Sequence, residues 1–304
     1  MKRQISFGQA LATVVGTVIG GGVFFKIGSI SHETGTPSLT LFVWILAGIV
    51  SIASGLTVSE IAAALPVTGG SIKYIEYTYG KVWGFLFGWA QMLVYFPANI
   101  AALSVVFGQQ FAVLFGFPTK YATLIALLLA LFLMSLNFIS TKFSTRMQSA
   151  MTILKAIPIA LIVIFGLFNS TKINVNLLPL SSGHNISFWA GLSGGLLAAL
   201  FAYDGWINVT NLAGEVKEPE KNLSRAIIIG LSAITLIYVL VNYAFLTAIP
   251  FKEIIGNQNT AYLASLKLFG SLGGKLITIG ILISVYGAIN GLSLIHISEP
   301  TRPY

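Results

Sequence analysis

Apolar residues in this chain come in blocks of about twenty, enough for a helix to cross a hydrocarbon core of roughly 30 Å. Short polar stretches separate the blocks. They lie near Phe7–Ile30, Leu39–Leu65, Val82–Phe115, Tyr121–Ile139, Met147–Phe168, Phe188–Leu212, Ala226–Ile249 and Leu272–Gly291. Read in order, they predict eight membrane spans, the last one incomplete, and hence an all-α, polytopic transmembrane helical bundle. The third block is long enough to tilt strongly in a bilayer. Pro97 and Pro158 fall inside the third and fifth blocks, where each removes a helix hydrogen bond and predicts a kink.

Two blocks carry interruptions. The first contains Gly16-Thr17-Val18-Ile19-Gly20-Gly21-Gly22, and the sixth contains Gly194-Gly195 followed by Phe201-Ala202-Tyr203-Asp204-Gly205-Trp206. They are five spans apart, as expected for two inverted five-helix repeats with broken helices 1 and 6. A break in a membrane helix exposes backbone groups that lipid cannot satisfy, so it survives only where it lines a cavity or is covered by protein. Close packing of small residues is the competing explanation, and Gly16 and Gly20 have the spacing for it. A second glycine-bearing block that also holds an acid favours a binding site.

Composition agrees with a membrane setting. Charged residues make up 9% of the chain, against about 25% in a soluble domain, and mean hydropathy is +0.87. The net charge of +8 is not gathered into a patch, which argues against nucleic acid as a partner. The basic residues sit in the connections, where they set orientation. With the N-terminus inside, Lys2, Arg3, Lys73, Lys81, Lys142, Arg146, Lys217, Lys221 and Arg225 face the cytoplasm. Lys26, Lys120, Lys172, Lys252, Lys267 and Lys275 then fall on the outer side. There is no cysteine, and His32, His184 and His296 stand far apart, so the sequence offers no metal site and no thiol chemistry. No Gly-Lys-Ser/Thr phosphate loop occurs, so no ATP coupling and no cofactor are expected. The first block is long and follows Lys2 and Arg3 directly, which predicts a retained span rather than a cleaved leader.

The first break has the chemistry of an anion site. A half-helix starting at a glycine run offers backbone N–H groups and the positive end of a helix dipole, and glycine lets a carboxylate come close. Just upstream, the carbonyls of Val18 and Ile19 leave the helix ladder and can accept from an ammonium. Together these suit the carboxylate and amine of one amino acid. Asp204 has two readings: contact with a substrate amine, or a structural acid capping N–H groups in the break. Lys155 also has two. It lies eight residues into the fifth block, about 12 Å deep at 1.5 Å per residue, and either snorkels or replaces a coupling cation. Glu60, near one end of the second block, reads as interfacial.

Three segments resemble a known family. Val15-Gly16-Thr17-Val18-Ile19-Gly20-Gly21-Gly22-Val23-Phe24 resembles the first-span motif of the amino acid–polyamine–organocation superfamily. Pro66-x-Thr68-Gly69-Gly70-x-x-x-Tyr74 is similar to its signature after span two. Phe201-Ala202-Tyr203-Asp204-Gly205-Trp206, with Gly214-Glu215-Val216-Lys217-x-Pro219-Glu220-Lys221, resembles its sixth span and following loop. The ensemble is most similar to the L-type amino-acid exchangers. The resemblance implies that Gly20, Gly21 and Gly22 bind a substrate carboxylate, and that Val18 and Phe201 give carbonyls to its amine. It also implies that the Phe201 ring gates the site, that Asp204 sits in the second break, and that Lys155 stands in for a coupling ion. Ile19, Ala202 and Gly205 complete the expected substrate-binding set.

The resulting expectation is a bacterial plasma-membrane carrier, multi-pass and N-in, that moves small neutral L-amino acids such as serine and threonine by alternating access. It is no enzyme, and the sequence names no partner subunit. Proton-coupled symport with Lys155 titrating is the same-class alternative, and a membrane scaffold or membrane enzyme the different-class one. Residues 1–291 form the permease domain, with spans one to five as the first repeat and six to eight as an incomplete second. Leu292–Tyr304 resembles a translated sequencing adapter and reads as an artefactual tail, leaving the fold truncated within helix 8.

Overall fold

The computed structural model describes residues 3, 5–65, 67, 69–139, 147, 150–151, 154–168 and 173–298. Lys2, Pro66, Thr68, Lys142, Arg146, Lys172 and the end of the tail from Glu299 lie outside the described residues, as does much of the start of the fifth block. Within them the protein is helical, and its one isolated β-bridge pairs Ile5 with Val216. Among the described residues, five helical stretches are long and apolar enough to cross a membrane, six if a bent pair is counted as one span, where the sequence predicted eight; the fifth and sixth blocks give the shorter helices Ala156–Phe168 and Phe188–Tyr203. It is a multi-pass membrane protein.

The bent pair is the first block. Helix α1 (Phe7–Val18) and helix α2 (Gly22–Thr34) meet at 49°. Helix α3 (Pro37–Ala64) follows, started by Pro37 and by the Thr36 hydroxyl accepting from the Leu39 N–H at 3.3 Å. Helix α4 (Gly70–Tyr79) is short and more polar, and leads to the third block. That block is one helical stretch from Lys81 to Phe115: helix α5 (Lys81–Ala90), a π-helical turn (Gln91–Tyr95) and helix α6 (Phe96–Phe115). The wide turn sits immediately before Pro97, which has no N–H to give and whose ring crowds the preceding turn, so the ladder slips there.

Helix α7 (Ala122–Ile139) and helix α8 (Ala156–Phe168) come next, then helix α9 (Phe188–Tyr203) and a 3₁₀ segment (Trp206–Glu215). Helix α10 (Pro219–Ala248), the short helix α11 (Phe251–Ile254) and helix α12 (Thr260–Ser298) complete the order. Helix α12 is interrupted at Gly270, whose φ of 73° an L side chain rarely adopts. It continues through Leu292–Ser298, past the Gly291 boundary expected from sequence.

The chain forms two compact units. One comprises Met1–Gly88 and Asn169–Thr260, and the other Trp89–Phe168 and Ala261–Tyr304. In the first unit α10 lies between α1 and α3, and missing side chains allow the approach. A Cβ on Gly48 or Gly55 of α3 would stand 2.2 Å from Thr235 Oγ1 or 2.4 Å from Ile227 Cγ2, both on α10. One on Gly230 of α10 would stand 2.8 Å from Val14 of α1. Gly194 and Gly195 serve the same end. They do not interrupt a helix, as the sequence suggested, but lie inside α9, where a Cβ would meet Glu33 at 2.6 Å or Thr34 at 2.8 Å on α2. In the second unit α6 packs on α7. Lys155 belongs to this unit and is 4% exposed.

The α6–α7 contact is testable. A Cβ on Gly108 would fall 2.1 Å from the backbone oxygen of Ala122, which cannot rotate away. Gly108→Ala should therefore cost about 1–3 kcal/mol, the usual range for overpacking, and lower the melting temperature in detergent. Gly8→Ala, on an exposed site with nothing within 4 Å, should leave it unchanged or slightly raised. Equal melting temperatures for the two variants would refute this account of the contact.

Candidate functional site at the helix breaks

Helix α1 ends because the chain turns extended at Ile19 (φ −69°, ψ 96°), whose N–H still reaches Val15 O at 3.0 Å. Gly21 (φ −69°, ψ −24°) caps the start of α2, and its carbonyl accepts from the Phe24 N–H at 2.9 Å. The N–H groups of Gly22 and Val23 precede that bond at the start of α2, where the positive end of the helix dipole lies.

The second break follows Tyr203. Asp204 is extended (φ −63°, ψ 154°) and Gly205 takes φ 109°, in the region that favours glycine. Asp204 Oδ1 accepts from the Gly205 N–H at 2.8 Å, so this carboxylate caps the break. Of its two sequence readings, the structural one has a bond behind it. Phe201 O accepts from the Asp204 N–H at 3.4 Å.

The two breaks touch. A Cβ on Gly22 would lie 2.9 Å from Ala202 Cβ, and one on Gly205 would lie 2.8 Å from Thr17 O. Behind them stands Tyr238 of α10, fully buried, its hydroxyl 3.0 Å from Val18 O and 3.0 Å from Ala202 O. One proton thus serves two carbonyls, one from each broken helix. The Tyr238 ring is held edge-on by Trp44 (centroids 5.4 Å) and Tyr203 (5.0 Å), and the Tyr203 hydroxyl donates to Trp44 O at 2.9 Å. Trp44 Nε1 is buried with no hydrogen-bond partner among the described residues.

At one end of α1 the chain is clasped to the segment before α10. The Ile5 N–H donates to Glu215 O and the Lys217 N–H donates to Ile5 O, both at 2.9 Å. Next to this clasp, Tyr74 of α4 donates to Thr210 O at 3.4 Å. Burial pushes the Tyr74 phenol up to about 12, against a smaller opposing effect of that bond, so it remains a donor at neutral pH.

The profile of the family described as "Amino acid permease" matches residues 5–298. The chain belongs to the amino acid permease family. The "Serine/threonine exchanger SteT" of Bacillus subtilis (strain 168) is 42% identical over 297 residues, covering 96% of this chain and 66% of that protein. The "Large neutral amino acids transporter small subunit 2" of Homo sapiens is 30% identical over 299 residues, covering 96% and 56%. The human "Asc-type amino acid transporter 1" is 28% identical over 301 residues, covering 96% and 57%. This permease chain therefore spans between about half and two thirds of the length of these relatives.

The permease brings Val18, Ile19, Gly20, Gly21 and Gly22 together with Phe201, Ala202, Asp204 and Gly205 in one unit. The Val18 carbonyl, which the sequence offered to a substrate ammonium, accepts from the Tyr238 hydroxyl with one of its two lone pairs, as the Ala202 carbonyl does. Sequence reading missed Tyr238, Trp44 and Tyr203. A usable signal existed, since tyrosines and tryptophans deep in a span, away from the interfaces they prefer, need a buried partner. It also counted Lys26 only as an outer-side charge. In the structure the Lys26 ammonium lies 4.1 Å from the centroid of the Phe201 ring.

Tyr238→Phe keeps the ring packing and removes the shared hydroxyl. It should destabilise the permease by about 1–3 kcal/mol, the cost of leaving buried acceptors without a donor. Amide exchange at Ile19–Gly22 and Asp204–Gly205 should quicken more than in α3. Exchange that rises equally everywhere would mean that the hydroxyl does not hold the breaks.

Proposed function

We propose that the full-length protein is a secondary carrier that exchanges or facilitates small neutral L-amino acids, serine and threonine first among them, by alternating access. The observation that carries this reading is the meeting of two broken helix ends around one buried hydroxyl. Such a place offers amide donors and a dipole to a carboxylate, and carbonyls to an amine, without a metal or cofactor. Identity to an exchanger whose name gives serine and threonine supplies the substrate class.

In this reading Gly20, Gly21 and Gly22 receive the carboxylate, Val18, Ile19, Ala202 and Phe201 border the amine, and the Phe201 ring closes over the ligand. Asp204 and Gly205 keep the second break open rather than touching substrate. The fold is then an inverted five-helix repeat with its first and sixth helices broken, lying N-in in a bacterial plasma membrane. Residues 1–291 supply the first repeat and part of the second, with 292–304 a tail. Lys155, buried in its own unit, is a fixed brace in the place of a coupling cation.

The test is counterflow in proteoliposomes holding the full-length protein. Labelled serine should enter against internal serine or threonine, saturably and without an imposed ion gradient. Absence of exchange under all gradients would end the carrier reading. Accumulation that requires a proton gradient, and loses that requirement in Lys155→Ala, would replace exchange with symport.

A second expectation separates binding from packing. Gly22 faces Ala202 and so has a packing role whatever else it does. Gly21 has ordinary helical angles, so leucine fits there without backbone strain. Gly21→Leu should weaken serine affinity about tenfold or more by blocking approach to the backbone, with membrane insertion normal. Unchanged affinity would assign the glycine run to packing.

A further inference from the structure

Lys26 stands one turn beyond Gly22 on α2, about 6 Å along the axis at 1.5 Å per residue. It is half-buried, and its ammonium rests on aromatic faces: 4.1 Å from the Phe201 centroid and 5.9 Å from that of Phe25. Among the described residues no carboxylate comes within 4.0 Å of it. Glu33, two turns further along α2, has the His32 ring 3.6 Å from its carboxylate instead. A ring face attracts a cation through its quadrupole but does not neutralise it. A whole positive charge is thus retained beside Phe201, next to the contact of Gly22 with Ala202.

We infer that Lys26 is a specificity-determining residue that screens ligands by the charge of their side chains. Its ammonium repels an amino acid carrying a second cation and admits those with neutral side chains. The repulsion acts at short range in a region partly closed to water, where charge interactions are stronger than in bulk solvent. The aromatic contact fixes the ammonium over the site, so the charge cannot swing out to water without giving up its hold on Phe201. Were Lys26 only an orientation charge at the membrane edge, its ammonium would lie in the headgroup region, not on the ring of α9's last turn.

The inference rests on the carrier reading, and its test keeps the two apart. Exchange of labelled serine by the full-length wild type, Lys26→Met and Lys26→Arg is competed with serine, lysine and norleucine. Norleucine matches the lysine side chain in length but carries no charge. In the wild type, norleucine should compete and lysine should compete poorly. In Lys26→Met the half-inhibiting concentration of lysine, relative to that variant's own serine value, should fall at least tenfold, with the norleucine ratio unmoved. Lys26→Arg should keep the wild-type ratios. If Lys26→Met exchanges too slowly to measure, thermal stabilisation of the purified variant by serine and by lysine gives the same ratio.

A lysine ratio unchanged in Lys26→Met overturns the inference, as does a wild type that accepts lysine as readily as norleucine. Loss of all ligand binding in a folded Lys26→Met also overturns it, by making Lys26 a substrate anchor and not a filter. A wild type that exchanges no amino acid would instead remove the carrier reading.

Discussion

A helix cannot stop inside a membrane without something to receive its last carbonyls and first amides, and this requirement governs the first unit of the permease. Two helix breaks meet there, and the partner supplied is a tyrosine hydroxyl from a third helix. The rest of the unit is arranged to hold that hydroxyl still. Trp44 and Tyr203 fix the ring, and glycines on α3 and α10 bring the helices close enough for the tyrosine to reach both ends. Asp204 caps its own break with a short bond to the next amide. In the proposed carrier, the buried amides that begin α2 are what this unit offers a ligand.

Six of the eight apolar blocks were legible as crossing helices or a bent pair among the described residues, because block length depends on the bilayer rather than on packing; the fifth and sixth give the shorter helices Ala156–Phe168 and Phe188–Tyr203. The broken first helix was legible as well: a run of three glycines and a helix that must nonetheless cross leave few alternatives. Gly194 and Gly195 misled because glycine has two uses in a membrane helix, unwinding and close approach, and sequence does not separate them. The structure assigns those two to contact with α2 and gives the unwinding to Gly205, where φ is positive.

The candidate site was half legible. Its glycines and Asp204 stand out as polar or flexible positions within apolar blocks. Tyr238 does not, since an aromatic residue in an apolar helix resembles filling until its hydroxyl is seen to have two acceptors. Lys26 was hidden differently. Charge near a span end ordinarily reports topology, and only the position of Phe201 turns this lysine toward the break. Such pairings join residues far apart in the chain, which periodicity cannot reveal.

The clasp at Ile5 gives helix α1 a mechanical character. One end of this rod, about 18 Å long at 1.5 Å per residue, is tied by two backbone bonds to the strand of chain entering α10. The other end is tied by Tyr238, a residue of α10 itself. The rod and the long helix therefore close a ring with two joints, and neither member can slide along the other while both joints hold. Displacement at the break is passed to the far joint instead of being absorbed on the way. Tilting α1 requires opening one joint and turning about the other, so the order in which the two joints release sets which end of the helix moves first.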